Sequence, residues 1–370
     1  MLEEVEHWLT RRSWSVADRP LDRLMVAKAA RGTTVSVVLP ALNEEETVGE
    51  IVSVIRRELM ERVRLVDELV VVDSGSTDRT AAVAAAAGAR VEDRDAILPR
   101  LPALPGKGEV LWRSLLVTSG DVVCFVDADL RRFSADFVSG IVGPLLTDQD
   151  MQFVKAMYDR PLLQPAAGHP DDRSARDDRD DGSDRSARGD RGDRGDRGDR
   201  GDRGDRGDRG DRGDRGGQGS LGGQGGRVTE LVARPLLNLH WPRLAGFVQP
   251  LGGEYAARRS LLERLPFPVG YGVELGLLVD ALHTAGLDAL GQVDVGVRIH
   301  RHQDERALGR MAAAIYRTAQ LRLSRAHLVR PELTQFERGE NGFVPRTHAV
   351  DTEERPPVRE IAEYTAGRAA

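Results

Sequence analysis

The chain has one cysteine, no apolar run approaching the ~18 residues of a membrane span, and no excess of positive charge. A lone Cys124 excludes an intrachain disulfide, and its apolar neighbours mark it as core packing in a reducing compartment. The 53 Lys and Arg against 59 Asp and Glu give a formal net charge of −6, which offers no basic footprint for a nucleic-acid partner. The opening residues, MLEEVEHWLTRR, are acidic where an export signal is basic and hold no long apolar core. These absences lead to the expectation of a soluble cytoplasmic protein without a membrane span. At 370 residues it can bury a sizeable core, as one large or two modest domains.

What is present centres on DVVCFVDADL, Asp121 to Leu130. Val122, Val123, Phe125 and Val126 suit a strand buried on both faces of a parallel sheet. The run stops on Asp127 and Asp129, two apart, so that an extended backbone would send both carboxylates to one side. Acids at the end of a buried strand need a cation or an open crevice, although a D-x-D by itself equally describes a solvated turn.

The chain before this strand alternates strand and helix. Residues 3–12 carry Val5, Trp8 and Leu9 at helical spacing and read as a packing arm. VSVVLP reads as a strand leading into a helix with Val48, Ile51, Val52, Ile55 and Leu59 on one face. DELVVVDSGSTD predicts a second strand and turn before an alanine-rich helix closed by Gly88. In LPGKGEV, Lys107 stands between two glycines at a helix start: an ordinary surface lysine, or a cation where an anion can approach closely. This alternation implies an α/β, mostly parallel, doubly wound sheet whose ligands bind beyond its C-terminal strand ends.

Residues 161–226 are of another kind, a charged stretch leading into a strict Arg-Gly-Asp repeat that ends in GGQGSLGGQGG, with almost no apolar residues, and are expected to be a disordered insert. Alternating charge and the lack of proline within the repeat argue against a collagen helix, and the absence of an export signal argues against adhesion. Structure resumes with RVTELVARPLLNLHWPRLAG, one or two helices broken by Pro235 and Pro242. QPLGGEYAARRSLLERLPF then reads as a glycine turn entering a helix, and GYGVELGLLVDAL as a further helix. In QVDVGVRIH, Val295, Val297 and Ile299 alternate up to His300 at a strand tip, where ligand and structural roles are equally open. After a helix over about 306–323, residues 336–370 read as a polar tail, surface or disordered, with a few docking residues.

Taken together, VSVVLPALNEE, VVVDSGSTD, GKGE, FVDADL and GGEYAARRSLLERLPFPVGYGVELGLLVD resemble the glucosyl-3-phosphoglycerate synthases of actinobacteria, retaining glycosyltransferases. The resemblance implies a GT-A fold, with a nucleotide-sugar-binding domain over 34–160 after an N-terminal arm of 1–33. An acceptor-binding and metal-completing α/β region over 227–335 would follow. It implies transfer of glucose from a nucleoside diphosphate glucose, usually UDP-glucose, to 3-phosphoglycerate, with Mg2+ or Mn2+ as cofactor and a homodimeric assembly. Motif by motif, Asp129 and His300 are implied as metal ligands, and Glu274 as the acid beside the transferred sugar. Pro40, Leu42, Glu44, Ser74, Lys107, Asp127 and Leu251 are implied on the donor side. Gly226, Arg227 and Thr229 are implied on the acceptor side, with His302, where the family has Asn, and Gln303 departing from the pattern nearby.

Chemistry supports the set. The departing pyrophosphate gathers negative charge while the sugar becomes cation-like, so a hard divalent ion with carboxylate ligands stabilises the leaving group. Glu274 follows GYG and could simply complement its helix dipole; its other role is to position the sugar, or less readily to attack it. An Arg and a hydroxyl at 227 and 229 suit a phosphate-bearing acceptor. Rival readings are a lipid-phosphate glycosyltransferase, which would carry a membrane anchor, and a sugar-1-phosphate nucleotidyltransferase, which would want glycines where PALNEEE stands. A non-enzymatic rival is an interaction protein using the Arg-Gly-Asp array.

Overall fold

The computed structural model describes residues 2–159, 226–298, 305–323, 332–339, 342–349 and 353–369, the stretches within 332–349 as backbone only. The expected insert, apart from Gly226, lies outside the described residues, as do His300, His302 and Gln303.

The N-terminal arm comprises α1 (Glu3–Arg12), β1 (Ser13–Ser15) and α2 (Leu21–Arg31). Next come β2 (Val35–Ala41), α3 (Val48–Ile55), β3 (Glu68–Asp73), α4 (Thr80–Ala87), β4 (Arg90–Asp93), α5 (Lys107–Val117), β5 (Val122–Phe125), α6 (Asp136–Thr147) and β6 (Phe153–Asp159). Beyond the insert a π-helical turn, Thr229–Ala233, runs into α7 (Arg234–His240). It is followed by β7 (Tyr255–Arg258), α8 (Arg259–Leu262), β8 (Phe267–Pro268), α9 (Val273–Ala285) and β9 (Leu290–Val297). The chain finishes with α10 (Glu305–Leu323), β10 (Glu332–Gly339), β11 (Gly342–Ala349), β12 (Glu354–Arg355) and α11 (Ala362–Ala369).

Eight strands form one sheet in the order β1-β9-β6-β7-β5-β2-β3-β4. All neighbours are parallel except β7, which runs antiparallel to both β5 and β6. Side chains alternate between two cores, as the two-residue strand period requires. Val38, Val70, Val72, Val123 and Phe125 face a layer built around α5 and α9, whereas Val37, Leu39, Val71, Cys124 and Val126 face α3 and α6. The arm is anchored by Trp8, whose Nε1 donates to the Leu290 carbonyl at 2.8 Å.

Three sequence expectations are corrected. GGEYAARRSLLERL is not a turn entering a helix directly: Tyr255–Arg258 is a central strand, and only the four residues Arg259–Leu262 that follow are helical. Alanine's helix propensity is overridden there by ladder hydrogen bonding on both sides. Pro235 breaks no helix: the helical run is continuous over 227–240, and the proline stands where the π-helical turn Thr229–Ala233 gives way to α7. The polar tail docks more firmly than its composition suggests: Val358 and Tyr364 are buried, and β12 pairs with β8. Among the described residues no helix is long and apolar enough to cross a membrane.

Candidate active site

Parallel register places the ends of β2, β3 and β5 together, with Ala41 opposite Asp73 and Phe125 opposite Val38. The loops after β2 and β3 interlock. Asn43, at φ 58°, donates its N–H to Ser76 Oγ at 2.9 Å and accepts the Thr77 N–H at 2.9 Å. Asp73 turns its carboxylate back onto the Gly75 and Ser76 amides at 3.3 and 3.1 Å. This frame presents the expected donor residues at one edge: Pro40, Glu44 and Ser74 are half-buried, and Leu42 is exposed.

Beyond β5 the two acids converge on a cation absent from the sequence expectation. Arg298 Nη2 lies 2.7 Å from Asp127 Oδ2 and 3.3 Å from Asp129 Oδ1, while its Nε lies 2.9 Å from Glu254 Oε1. Glu254 also accepts from the Tyr158 hydroxyl at 2.8 Å. Lys107 pairs with Asp127, and its Nζ lies 2.8 Å from Glu274 Oε1. Asp127, Asp129, Glu254, Glu274, Lys107 and Arg298 thus form one network from five segments of chain.

Backbone contact explains why Lys107 and Glu274 meet. A Cβ at Gly106 would lie 2.4 Å from the Val269 carbonyl oxygen, and one at Gly108 would lie 1.8 Å from that of Pro268. The glycines around Lys107 therefore admit the Pro268–Gly270 backbone, the lead-in to α9. Gly253 plays the same part opposite: its Cβ would fall 2.2 Å from Asp127 Oδ2. Only glycine lets the turn before β7 lie against that carboxylate.

The acceptor-side expectations stand at a helix start. Gly226 has φ 107°, and its carbonyl accepts the Glu230 N–H at 3.0 Å. Thr229 is buried and Arg227 exposed. The turn bearing Thr229 packs on α10, which also packs on α9, the helix of Glu274. Leu251 is half-buried, just ahead of Gly253.

The site fits a divalent cation. Among the described residues four carboxylates, Asp127, Asp129, Glu254 and Glu274, stand against three cationic side chains, Lys107, Arg298 and the buried Lys155, a hard-oxygen, acid-rich set that suits such an ion. Burial raises the pKa of Asp129; Arg298 opposes the rise, while Asp127 and Glu254 add to it. Its side chain nevertheless keeps 32% of its surface, leaving carboxylate oxygen open to a hard ion.

The glycosyl transferase family 2 profile matches residues 36–161, the β2–β6 part of the sheet. A glucosyl-3-phosphoglycerate synthase of Mycolicibacterium smegmatis is 43% identical over 95% of this chain and 97% of its own length. The chain belongs to the glucosyl-3-phosphoglycerate synthase family. The crystal structure of the synthase from Mycobacterium tuberculosis with Mn2+, UDP-glucose and phosphoglyceric acid is 40% identical, covers 92% of this chain and 95% of that one, and superposes with a TM-score of 0.70. Another crystal of the same protein holds Mg2+ and UDP. A mannosyl-3-phosphoglycerate synthase from Rubrobacter xylanophilus is 34% identical over 96% of this chain and 98% of its own, with a TM-score of 0.75. The GT-A fold of the synthase family is thereby established for this chain.

Arg298, Glu254, Gly253, Tyr158 and Lys155 went unnoticed in the sequence. Arg298 had a usable signal, standing two residues before His300 in an alternating strand. Lys155, one charge inside FVKAMY, had a subtler one.

Proposed function

We propose that this synthase transfers glucose from UDP-glucose to 3-phosphoglycerate with retention of anomeric configuration, using Mg2+ or Mn2+. The observation that carries the reading is the acid-rich cluster at the C-terminal edge of the sheet, in a chain matched nearly end to end by the synthases. Within it, residues 34–160 supply most of the donor side, and 227–335 supply the acceptor side and complete the metal site.

A divalent ion, when bound, neutralises charge gathering on the departing pyrophosphate. Asp129 would hold it from the β5 side and His300 from the stretch after β9. Glu274 already accepts the Lys107 ammonium, so it is a poor nucleophile and a good acceptor for sugar hydroxyls. This favours sugar positioning by Glu274 and departure and attack on the same face of the ring. Lys107 and Asp127 fix that carboxylate on the donor side, beside Pro40, Leu42, Glu44, Ser74 and Leu251. Gly226, Arg227, Thr229 and His302 form the acceptor side, where guanidinium and hydroxyl suit a phosphate.

A cytoplasmic location fits a chain whose one cysteine is a buried free thiol. Homodimeric association belongs to the same reading by family resemblance, and sedimentation velocity tests it.

The deciding experiment gives the purified chain 3-phosphoglycerate with UDP-glucose, GDP-glucose or GDP-mannose, with Mg2+, Mn2+ or a chelator. Glucosyl transfer is expected from UDP-glucose, lost with chelator and reduced at least ~100-fold by Asp129→Ala. Turnover indifferent to both changes sinks the metal site, an inverted product sinks retention, and preference for GDP-mannose sinks the donor assignment.

A further inference from the structure

Lys155 lies in the middle of β6, in a run of residues that otherwise pack as core. Its side chain is fully buried, and among the described residues it pairs with no carboxylate. Its Nζ donates to the Gly252 carbonyl at 2.7 Å and lies 4.8 Å from the centre of the Tyr255 ring. The Tyr255 hydroxyl is itself buried without a hydrogen-bond partner among the described residues, so it offers Lys155 only a ring face. An ammonium in such a place is costly, and a methionine would fill the space without that cost.

What the ammonium holds is the turn beneath the site. Gly252 accepts from Lys155. Gly253 lies so close to the Asp127 carboxylate and the Lys107 ammonium that a Cβ would meet both, at 2.2 and 2.4 Å. Glu254 takes Arg298 on one oxygen and Tyr158 on the other. Three consecutive residues thus link one buried cation to Asp127, Lys107 and Arg298.

We propose that Lys155 is a positioning residue for glycosyl transfer: its ammonium fixes the Gly252 carbonyl, and so the Gly252–Glu254 turn that sets Asp127, Lys107 and Arg298 in place. The proposal rests on the transferase reading of this site. A charge-assisted hydrogen bond is roughly twice as strong as a neutral one, so the turn is held firmly only while the lysine is protonated. Burial, and after it the neighbouring Lys107 charge, lowers the lysine pKa to about 8 against the opposing pull of Glu274, Glu254 and Asp127. The facing residue on β9 is the uncharged Gln292. Activity should therefore fall as pH rises through that value. Stability should do the opposite: the folded pKa is below the unfolded one, so the penalty of burying charge is full at lower pH and fades as pH rises from about 8 towards the ordinary lysine value.

The test is the pH dependence of kcat, at saturating Mg2+ and substrates, for the wild type, Lys155→Met and Lys155→Arg. K155M should lose about tenfold or more in kcat, with KM for 3-phosphoglycerate within about twofold. K155R should recover most of the rate and lose the basic limb of the wild type. Wild-type kcat in K155M, or an unchanged basic limb in K155R, overturns the proposal. If neither variant folds, the wild-type profile decides: a flat rate across about pH 7 to 9 with the fold intact also overturns it. Should the wild type not turn over these substrates, the transferase reading has failed instead. Lys155 is then judged by calorimetry of Mn2+ and UDP, where K155M must bind at least about fivefold more weakly and equal binding refutes the role.

Discussion

Arg298 shows how much of this site depends on single charges. Its guanidinium is nearly buried and serves Asp127, Asp129 and Glu254, the last of which has no exposed side-chain surface. Removing one partner of such a pair leaves an uncompensated buried charge, so Arg298→Met should cost about 3–5 kcal/mol in denaturant unfolding. A divalent ion near Asp129 would replace part of the lost charge. Mn2+ should accordingly raise the melting temperature of R298M more than that of the wild type, and an equal shift in both proteins contradicts the charge accounting. At this scale the sequence was readable where a residue sat in a motif, as Asp127, Asp129 and Lys107 did. Lys155, Glu254 and Arg298 were hidden because an isolated charge within or beside an apolar strand has no periodicity. What compensates it comes from more than forty residues away in the chain.

Elements were legible when both faces of a strand were apolar. β2, β3 and β5 announce themselves in VSVVL, ELVVVD and VVCF, whereas β7 carries alanines and an arginine ahead of a helix-forming sequence. Only pairing with β5 on one side and β6 on the other makes it a strand. The tail was hidden for a related reason, since β12 is two residues long and holds by charge. Arg355 places Nε and Nη2 at 2.7 and 2.9 Å from the two oxygens of the buried Glu109, and Trp112 Nε1 donates to the Pro356 carbonyl at 2.9 Å. The Val269 N–H donates to Glu353 at 3.1 Å, so this strap ties the lead-in of Glu274 to the helix that begins at Lys107. Arg355→Met should destabilise by roughly 2–3 kcal/mol, less than a fully orphaned acid because Arg113 still pairs with Glu109. Turnover should fall with it as the two catalytic-side segments lose register. Unchanged urea unfolding together with unchanged kcat removes the strap from the account.

For the whole molecule the Arg-Gly-Asp insert is the obvious oddity. Among the described residues every site contact is made outside it, apart from that of Gly226 at its last position. Lengthening a loop adds closure entropy only slowly, so deletion of residues 171–215 should leave kcat and KM within about twofold. Complete loss of turnover in a folded deletion variant would revive the multivalent-binding alternative.

Strand order also dictates when this enzyme can exist during its own synthesis. β6 is made before the insert, yet both its neighbours, β7 and β9, are made after it. A nascent chain that has reached only Asp159 lacks the strand whose lane lies between β5 and β6, so β6 has no partner and the edge of β5 beside its acids is unpaired. Closing that lane delivers Gly253 and Glu254, and the arrival of β9 delivers Arg298. The ribosome must therefore finish most of the polypeptide before the acid pair, which until then has only Lys107 to meet, can reach Arg298.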